Sequence, residues 1–190
     1  MGIGRKTMSG AVFLDRDGVL NEVTLREGKP FPPCALADVR ILPDVPEALR
    51  LLKTSGLALA VVTNQPDVAR GTQSRNVVES INSWLSSQLP LDWFEVCYHD
   101  ENDACDCRKP KPGLILRSAR ALRVEPTQGN MVGDRWRDIE AGKAAGCRTI
   151  WIDREYMEKQ PSYFDFRCTS LLEAAQWILQ QSKPWEKSRE

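Results

Sequence analysis

Apolar and polar positions along the chain follow two rhythms, short apolar runs of strand length and longer stripes at helical spacing. The run Ala11–Leu14 ends on Asp15-Arg16-Asp17-Gly18, and the run Leu57–Val62 ends on Thr63-Asn64-Gln65. Further runs over Phe94–Tyr98, up to Val132 and over Thr149–Ile152 predict additional strands. Between them, Val45, Ala48, Leu49 and Leu52 predict a helix with Asp44 as its N-cap and Gly56 past its end. Val77, Val78, Ile81, Trp84 and Leu85 predict a second helix capped by Ser74, and stripes near 114–122, 136–145 and 171–180 predict others. Alternation of this kind predicts an α/β fold, a doubly wound, Rossmann-like parallel sheet with helices on both faces. Residues 16–42, rich in Pro and charge, read as one long loop.

A chain of 190 residues is large enough to bury one substantial core, so residues 1–190 are expected to form a single domain, with flexible ends at 1–10 and 183–190. Lys plus Arg equals Asp plus Glu at 26 each, which removes the net basic character of a protein held to polyanions by charge alone. No apolar run approaches the ~20 residues of a membrane span, and Met1–Gly10 has no apolar leader core. The expectation is a soluble cytoplasmic monomer with neither membrane nor nucleic-acid partner.

Parallel strands point their carboxyl ends to the same side of a sheet, where open α/β folds bind ligands. Four segments place polar groups at or beside such ends: Asp15/Asp17, Thr63/Asn64, Arg108/Lys109 and Asp134/Asp138. A carboxylate pair joined by a third acid forms an oxygen-rich cradle for Mg2+, and a hydroxyl and a lysine supply donors for phosphoryl oxygens. Each segment alone is ordinary, since acids commonly decorate strand ends and helix starts; their convergence is the informative part. Cys97, His99, Cys105 and Cys107 add three thiols and an imidazole within a stretch of eleven residues, the donor set of a closed, structural Zn2+ site. Cys34, Cys147 and Cys168 are scattered and read as ordinary thiols.

The segments Asp15-Arg16-Asp17-Gly18, Thr63-Asn64, Lys109-Pro110 and Gly133-Asp134-Arg135-Trp136-Arg137-Asp138 together resemble the four motifs of the haloacid dehalogenase superfamily, in its phosphatase branch, across residues 11–153. The resemblance implies that Asp15 is a nucleophile phosphorylated in the reaction and that Asp17 protonates the leaving alcohol and then activates water. It also implies that Asp15, Asp134 and the backbone carbonyl of Asp17 hold Mg2+, that Thr63 and Lys109 bind the phosphoryl group, and that Asp138 supports the metal site. The gaps of 46 residues on either side of Thr63 leave no space for a large cap domain, so specificity falls to loops.

Cys-x-His followed by Cys-x-Cys and Arg108-Lys109-Pro110 is similar to the zinc-containing subfamily of heptose 1,7-bisphosphate 7-phosphatases and histidinol-phosphate phosphatases. Thr63-Asn64-Gln65 with Ala69-Arg70-Gly71 resembles the heptose branch, with Pro66-Asp67 and Tyr98 as departures from its pattern. The expected substrate contacts are Asn64, Gln65, Arg70, Arg108 and Arg135, and the substrate that the resemblance implies is a small phosphorylated sugar, D-glycero-D-manno-heptose 1,7-bisphosphate cleaved at its 7-phosphate. Histidinol phosphate, a nucleic-acid 3′-phosphate and a non-enzymatic zinc-stapled binding module remain as alternatives.

Overall fold

The computed structural model describes residues 10–181. Its centre is a six-stranded parallel sheet built from β1 (Ala11–Leu14), β4 (Ala58–Asn64), β5 (Trp93–Cys97), β6 (Asn130–Gly133), β7 (Arg148–Ile152) and β8 (Phe166–Cys168), in the order β5-β4-β1-β6-β7-β8. Alternate residues of a strand face opposite sides, and β1 shows this directly. Val12 and Leu14 join Leu59, Val61, Val132 and Ile150 under α1 (Val45–Thr54), α2 (Arg75–Gln88) and α5 (Leu171–Gln181). Ala11 and Phe13 join Ala58, Ala60, Val62 and Met131 under α3 (Gly113–Leu122) and α4 (Trp136–Ala145). Strands with helices on both faces need apolar residues at every position, which is why β1 is buried throughout.

The expected doubly wound sheet is therefore present, with two additions. Within the stretch read as a loop, β2 (Thr24–Arg26) and β3 (Lys29–Phe31) form a separate antiparallel hairpin. Its two-residue turn holds Glu27 at φ 50° and Gly28 at φ 71°, the left-handed pair that matches strand twist. Short exposed strands leave no apolar alternation to read in the sequence. The sixth strand, β8, is three residues long and exists through its register with β7. Asp44 holds the expected N-cap position of α1 but not the expected bond. Asp44 begins α1 without a side-chain capping bond, and its Oδ2 instead accepts from the Leu172 amide of α5 at 3.1 Å, joining two helices on one face. Ser74 likewise makes no side-chain capping bond.

Among the described residues no helix is long and apolar enough to cross a membrane. Of the expected flexible ends, residues 1–9 and 183–190 lie outside the described residues.

Gly142, in the middle of α4, marks how closely this helix lies on the sheet: a Cβ there would meet Met131 Cβ at 2.6 Å and Thr149 Cγ2 at 2.9 Å. In an open helix Gly→Ala would stabilise by about 1 kcal/mol. Here Gly142→Ala is expected to lower the melting temperature, because the helix must lift off β6 and β7; a higher melting temperature in thermal denaturation would show that α4 packs more loosely on the sheet.

Candidate active site

Strand β1 lies between β4 and β6, with Leu14 beside both Val61 and Val132. Chain connections diverge on either side of it, so its carboxyl end opens into the crevice expected at a topological switch point. Asp15 continues the ladder, its amide donating to the Val132 carbonyl at 3.0 Å. The end of β4 brings Thr63 and Asn64 to one side, and the turn from β6 into α4 brings Asp134 and Asp138 to the other.

The buried centre is built around Lys109. Its Nζ contacts Asp15 Oδ1 at 2.8 Å and Asp138 Oδ1 at 2.6 Å, and donates to the Val62 carbonyl at 2.8 Å. Asn64 fixes the backbone that carries it, accepting from the Lys109 amide and donating to the Lys109 carbonyl, each at 3.1 Å. Carboxylate oxygens of Asp15, Asp134 and Asp138 all lie within 4.8 Å of one another. Three acids against one ammonium leave the cluster short of positive charge. Burial raises the Asp15 carboxyl to about 6, with Asp138 and Asp17 adding to the effect and Lys109 opposing it. Burial, Asp15 and Asp138 likewise hold the Asp134 carboxyl well above the usual range. Burial by itself would lower the Lys109 ammonium, but Asp138 and Asp15 outweigh it and keep the group charged. A divalent cation among these oxygens would cancel the repulsion and hold the carboxylates ionised.

Asp17 faces a different set of partners. Its carboxylate accepts from Arg16 Nε and Nη2 at 3.2 and 3.0 Å, from Asn21 Nδ2 at 3.0 Å and from Gln65 Nε2 at 2.8 Å. Gln65 also donates to Thr63 Oγ1 at 2.9 Å, so its side chain links the hydroxyl to the second acid and is itself buried. Asp15, Asp17, Thr63, Asn64, Arg70, Arg108, Lys109, Arg135, Asp134 and Asp138 all border one cleft of about 440 Å³. Of the arginines bordering it, Arg70 pairs with Asp67, Arg135 with Glu158, and Arg108 with Glu101.

Cys97 ends β5, and the loop after it folds back so that ligand atoms of Cys97, His99, Cys105 and Cys107 lie within 4.8 Å of one another. The Cys97–Cys107 and Cys97–Cys105 sulfur separations are 3.2 and 4.0 Å, and His99 Nδ1 lies 3.3 Å from Cys107 Sγ. Zinc–sulfur bonds of ~2.3 Å in a tetrahedron require edges of about 3.7 Å, so the four groups fit a closed metal site. Arg108 Nη1 donates to the His99 carbonyl at 3.2 Å, which ties this cluster to the cleft.

A family model for haloacid dehalogenase-like hydrolases matches residues 21–146. The chain belongs to this family. It is 36% identical over 149 residues to the D-glycero-beta-D-manno-heptose-1,7-bisphosphate 7-phosphatase of Haemophilus influenzae, covering 73% of this chain and 78% of the relative. It is 32% identical over 189 residues to the enzyme of the same name from Escherichia coli K12, covering 92% and 96%. A crystal structure of D,D-heptose 1,7-bisphosphate phosphatase from B. bronchiseptica, complexed with magnesium and phosphate, superposes with a TM-score of 0.78 at 27% identity, covering 92% of this chain and 100% of that one.

In this haloacid dehalogenase-like hydrolase the structure adds residues that motif reading passed over. Arg16, between the two acids, is fully buried, and its Nη1 donates to Asn82 Oδ1 at 2.8 Å. Asn82 interrupts the apolar face of α2 beside Val78, Ile81 and Leu85, and a polar residue on a buried stripe was the available signal. Asn82→Ala should therefore destabilise the protein by about 1–3 kcal/mol, the cost of stranding a buried donor. Urea denaturation measures it, and a change below about 0.5 kcal/mol would mean that Arg16 finds water instead.

Proposed function

We infer that the protein is a phosphatase that hydrolyses a phosphate monoester through a phosphorylated Asp15, and that its substrate is D-glycero-D-manno-heptose 1,7-bisphosphate, cleaved at the 7-phosphate. The observation that carries this reading is the bridge of Lys109 between Asp15 and Asp138 beside a third acid at the buried end of the cleft. The names of the sequence relatives and of the B. bronchiseptica structure support the substrate.

Asp15, Asp134 and the backbone carbonyl of Asp17 are the proposed holders of Mg2+, with Asp138 in support. When bound, the ion supplies charge that lets a carboxylate approach an anionic ester. Lys109 and the Thr63 hydroxyl then orient the phosphoryl oxygens, and the Asp15 carboxylate attacks phosphorus in line with the departing oxygen. Asp17 gives that oxygen its proton and afterwards takes one from the water that releases phosphate, the alternation general acid–base catalysis requires. Asn64 serves by fixing the Lys109 backbone, and Gln65 by holding Asp17 and Thr63. Arg70, Arg108 and Arg135 contact the remainder of the substrate.

The cleft carries six cationic side chains, Lys29, Arg70, Arg108, Lys109, Arg135 and Arg137, against six acids. That balance suits a small anion arriving with a cation, and it lacks the uniform positive field of a nucleic-acid groove. The protein is taken to act as a monomer in the cytoplasm, where thiols stay reduced.

Asp15→Asn should reduce phosphate release from the heptose bisphosphate by at least about a thousandfold, as loss of a nucleophile does, with the circular dichroism spectrum unchanged. Retained turnover would remove Asp15 as nucleophile, and faster turnover of histidinol phosphate by the unaltered protein would reassign the substrate. The Cys97, His99, Cys105 and Cys107 cluster is proposed to hold a structural Zn2+. Cys107→Ser should lose zinc by elemental analysis, melt at lower temperature and raise KM more than it lowers kcat, because the anchor of Arg108 loosens; unchanged zinc content and KM would refute the assignment.

A further inference from the structure

The segment after β7 contacts the acid cluster through Asp134 and its neighbours. Arg154 Nε donates to the Gly18 carbonyl at 3.0 Å, Tyr156 Oη donates to Asp134 Oδ2 at 2.8 Å, and Glu158 binds Arg135 through both carboxylate oxygens. The Met157 amide donates to the Gly28 carbonyl at 2.9 Å, fastening the same segment to the hairpin at the cleft mouth.

Asp134 is thereby divided into two unlike oxygens. Its Oδ2 is wedged between Tyr156 and Gly18, where a Cβ would lie 1.9 Å from the oxygen and 2.8 Å from the phenol. Its Oδ1 is buried with no hydrogen-bond partner among the described residues. A buried carboxylate oxygen without a donor is costly, and this one belongs to the acid whose neighbours are Asp15 and Asp138. The carbonyl of the same residue accepts from Trp151 Nε1 at 3.2 Å, so main chain and side chain are both restrained.

We propose that Tyr156 is a positioning residue for the divalent cation: by occupying Oδ2 it fixes the rotation of the Asp134 carboxylate and reserves Oδ1 for the metal. The inference rests on the magnesium reading given above. A hydrogen bond behind a ligating group sets its orientation, and removing one typically weakens metal binding by about 10–100-fold. With phenylalanine at 156 the ring still fills its place, but Oδ2 loses its donor and competes for the ion through an unfixed rotation.

The test is Tyr156→Phe in the zinc-loaded full chain, with Mg2+ binding measured by calorimetry in the absence of substrate and thermal melting recorded with and without Mg2+. The expected result is a dissociation constant raised about tenfold or more, with a smaller Mg2+-dependent rise in melting temperature. A purely structural tyrosine would lower the melting temperature equally in both conditions. A Mg2+ affinity within about twofold of the original would overturn the proposal, whatever happens to metal-free stability. Asp134→Asn separates the two readings. If it abolishes Mg2+ binding while Tyr156→Phe does not alter it, the tyrosine role fails and the metal site stands; if the unaltered protein binds no Mg2+, both fail.

Discussion

Among the described residues, the ammonium of Lys109 is the only positive charge shared by Asp15 and Asp138 at the buried end of the cleft, and the rest of the site is arranged around that shortage. Carboxylates taken out of water repel one another and favour protonation, and one lysine offsets only part of that cost. Asp15 and Asp134 are both held above the usual carboxylate range for this reason. A site optimised for the empty protein would have one fewer acid or one more cation. The imbalance instead leaves the folded chain with affinity for an added positive ion, and stability is given up locally where chemistry needs charge.

Keeping that arrangement requires rigidity from outside the cluster. Lys109 lies on a loop, and loops are ordinarily the mobile part of a fold. Three separate contacts remove the freedom: Asn64 clamps the Lys109 peptide groups, the Val62 carbonyl accepts from the ammonium, and the Cys97/His99/Cys105/Cys107 cluster grips the neighbouring Arg108 through the His99 carbonyl. The sheet supplies the anchor for the first two, because Val62 and Asn64 are residues of β4 itself. The same logic applies to Asp17. A carboxylate held by Arg16, Asn21 and Gln65 has its orientation set by three side chains, one of which is fastened in turn to α2 through Asn82.

Much of this was legible in the sequence because the informative residues are local to strand ends. Asp15, Thr63 and Asp134 each follow an apolar run directly, and parallel topology makes such ends converge. Features that depend on pairing between distant segments were not legible. The strand at Phe166–Cys168 is too short to signal itself and exists by its register with β7; the hairpin over 24–31 is exposed and lacks alternation. Asp44 read as the cap of the helix it begins, yet its carboxylate serves α5, accepting from an amide 128 residues later. Arg16, standing between two acids, was in plain view, but only the fold reveals that Asn82 receives it.

The position of Tyr156 bears on how such a site can vary without losing its chemistry. Residues on β1, β4 and β6 are constrained twice, by the cluster and by burial on both faces of the sheet. The segment from Asp153 to Glu158 is constrained mainly through its contacts with Gly18, Asp134, Arg135 and Gly28. Because these contacts come from a loop, their side chains can change without disturbing the sheet, while still reaching an oxygen of Asp134 and the arginine beside it. The orientation of the Asp134 carboxylate and the placement of a cationic contact at the cleft are therefore adjustable from one segment, whereas the acid and lysine at the strand ends are fixed by the fold that delivers them.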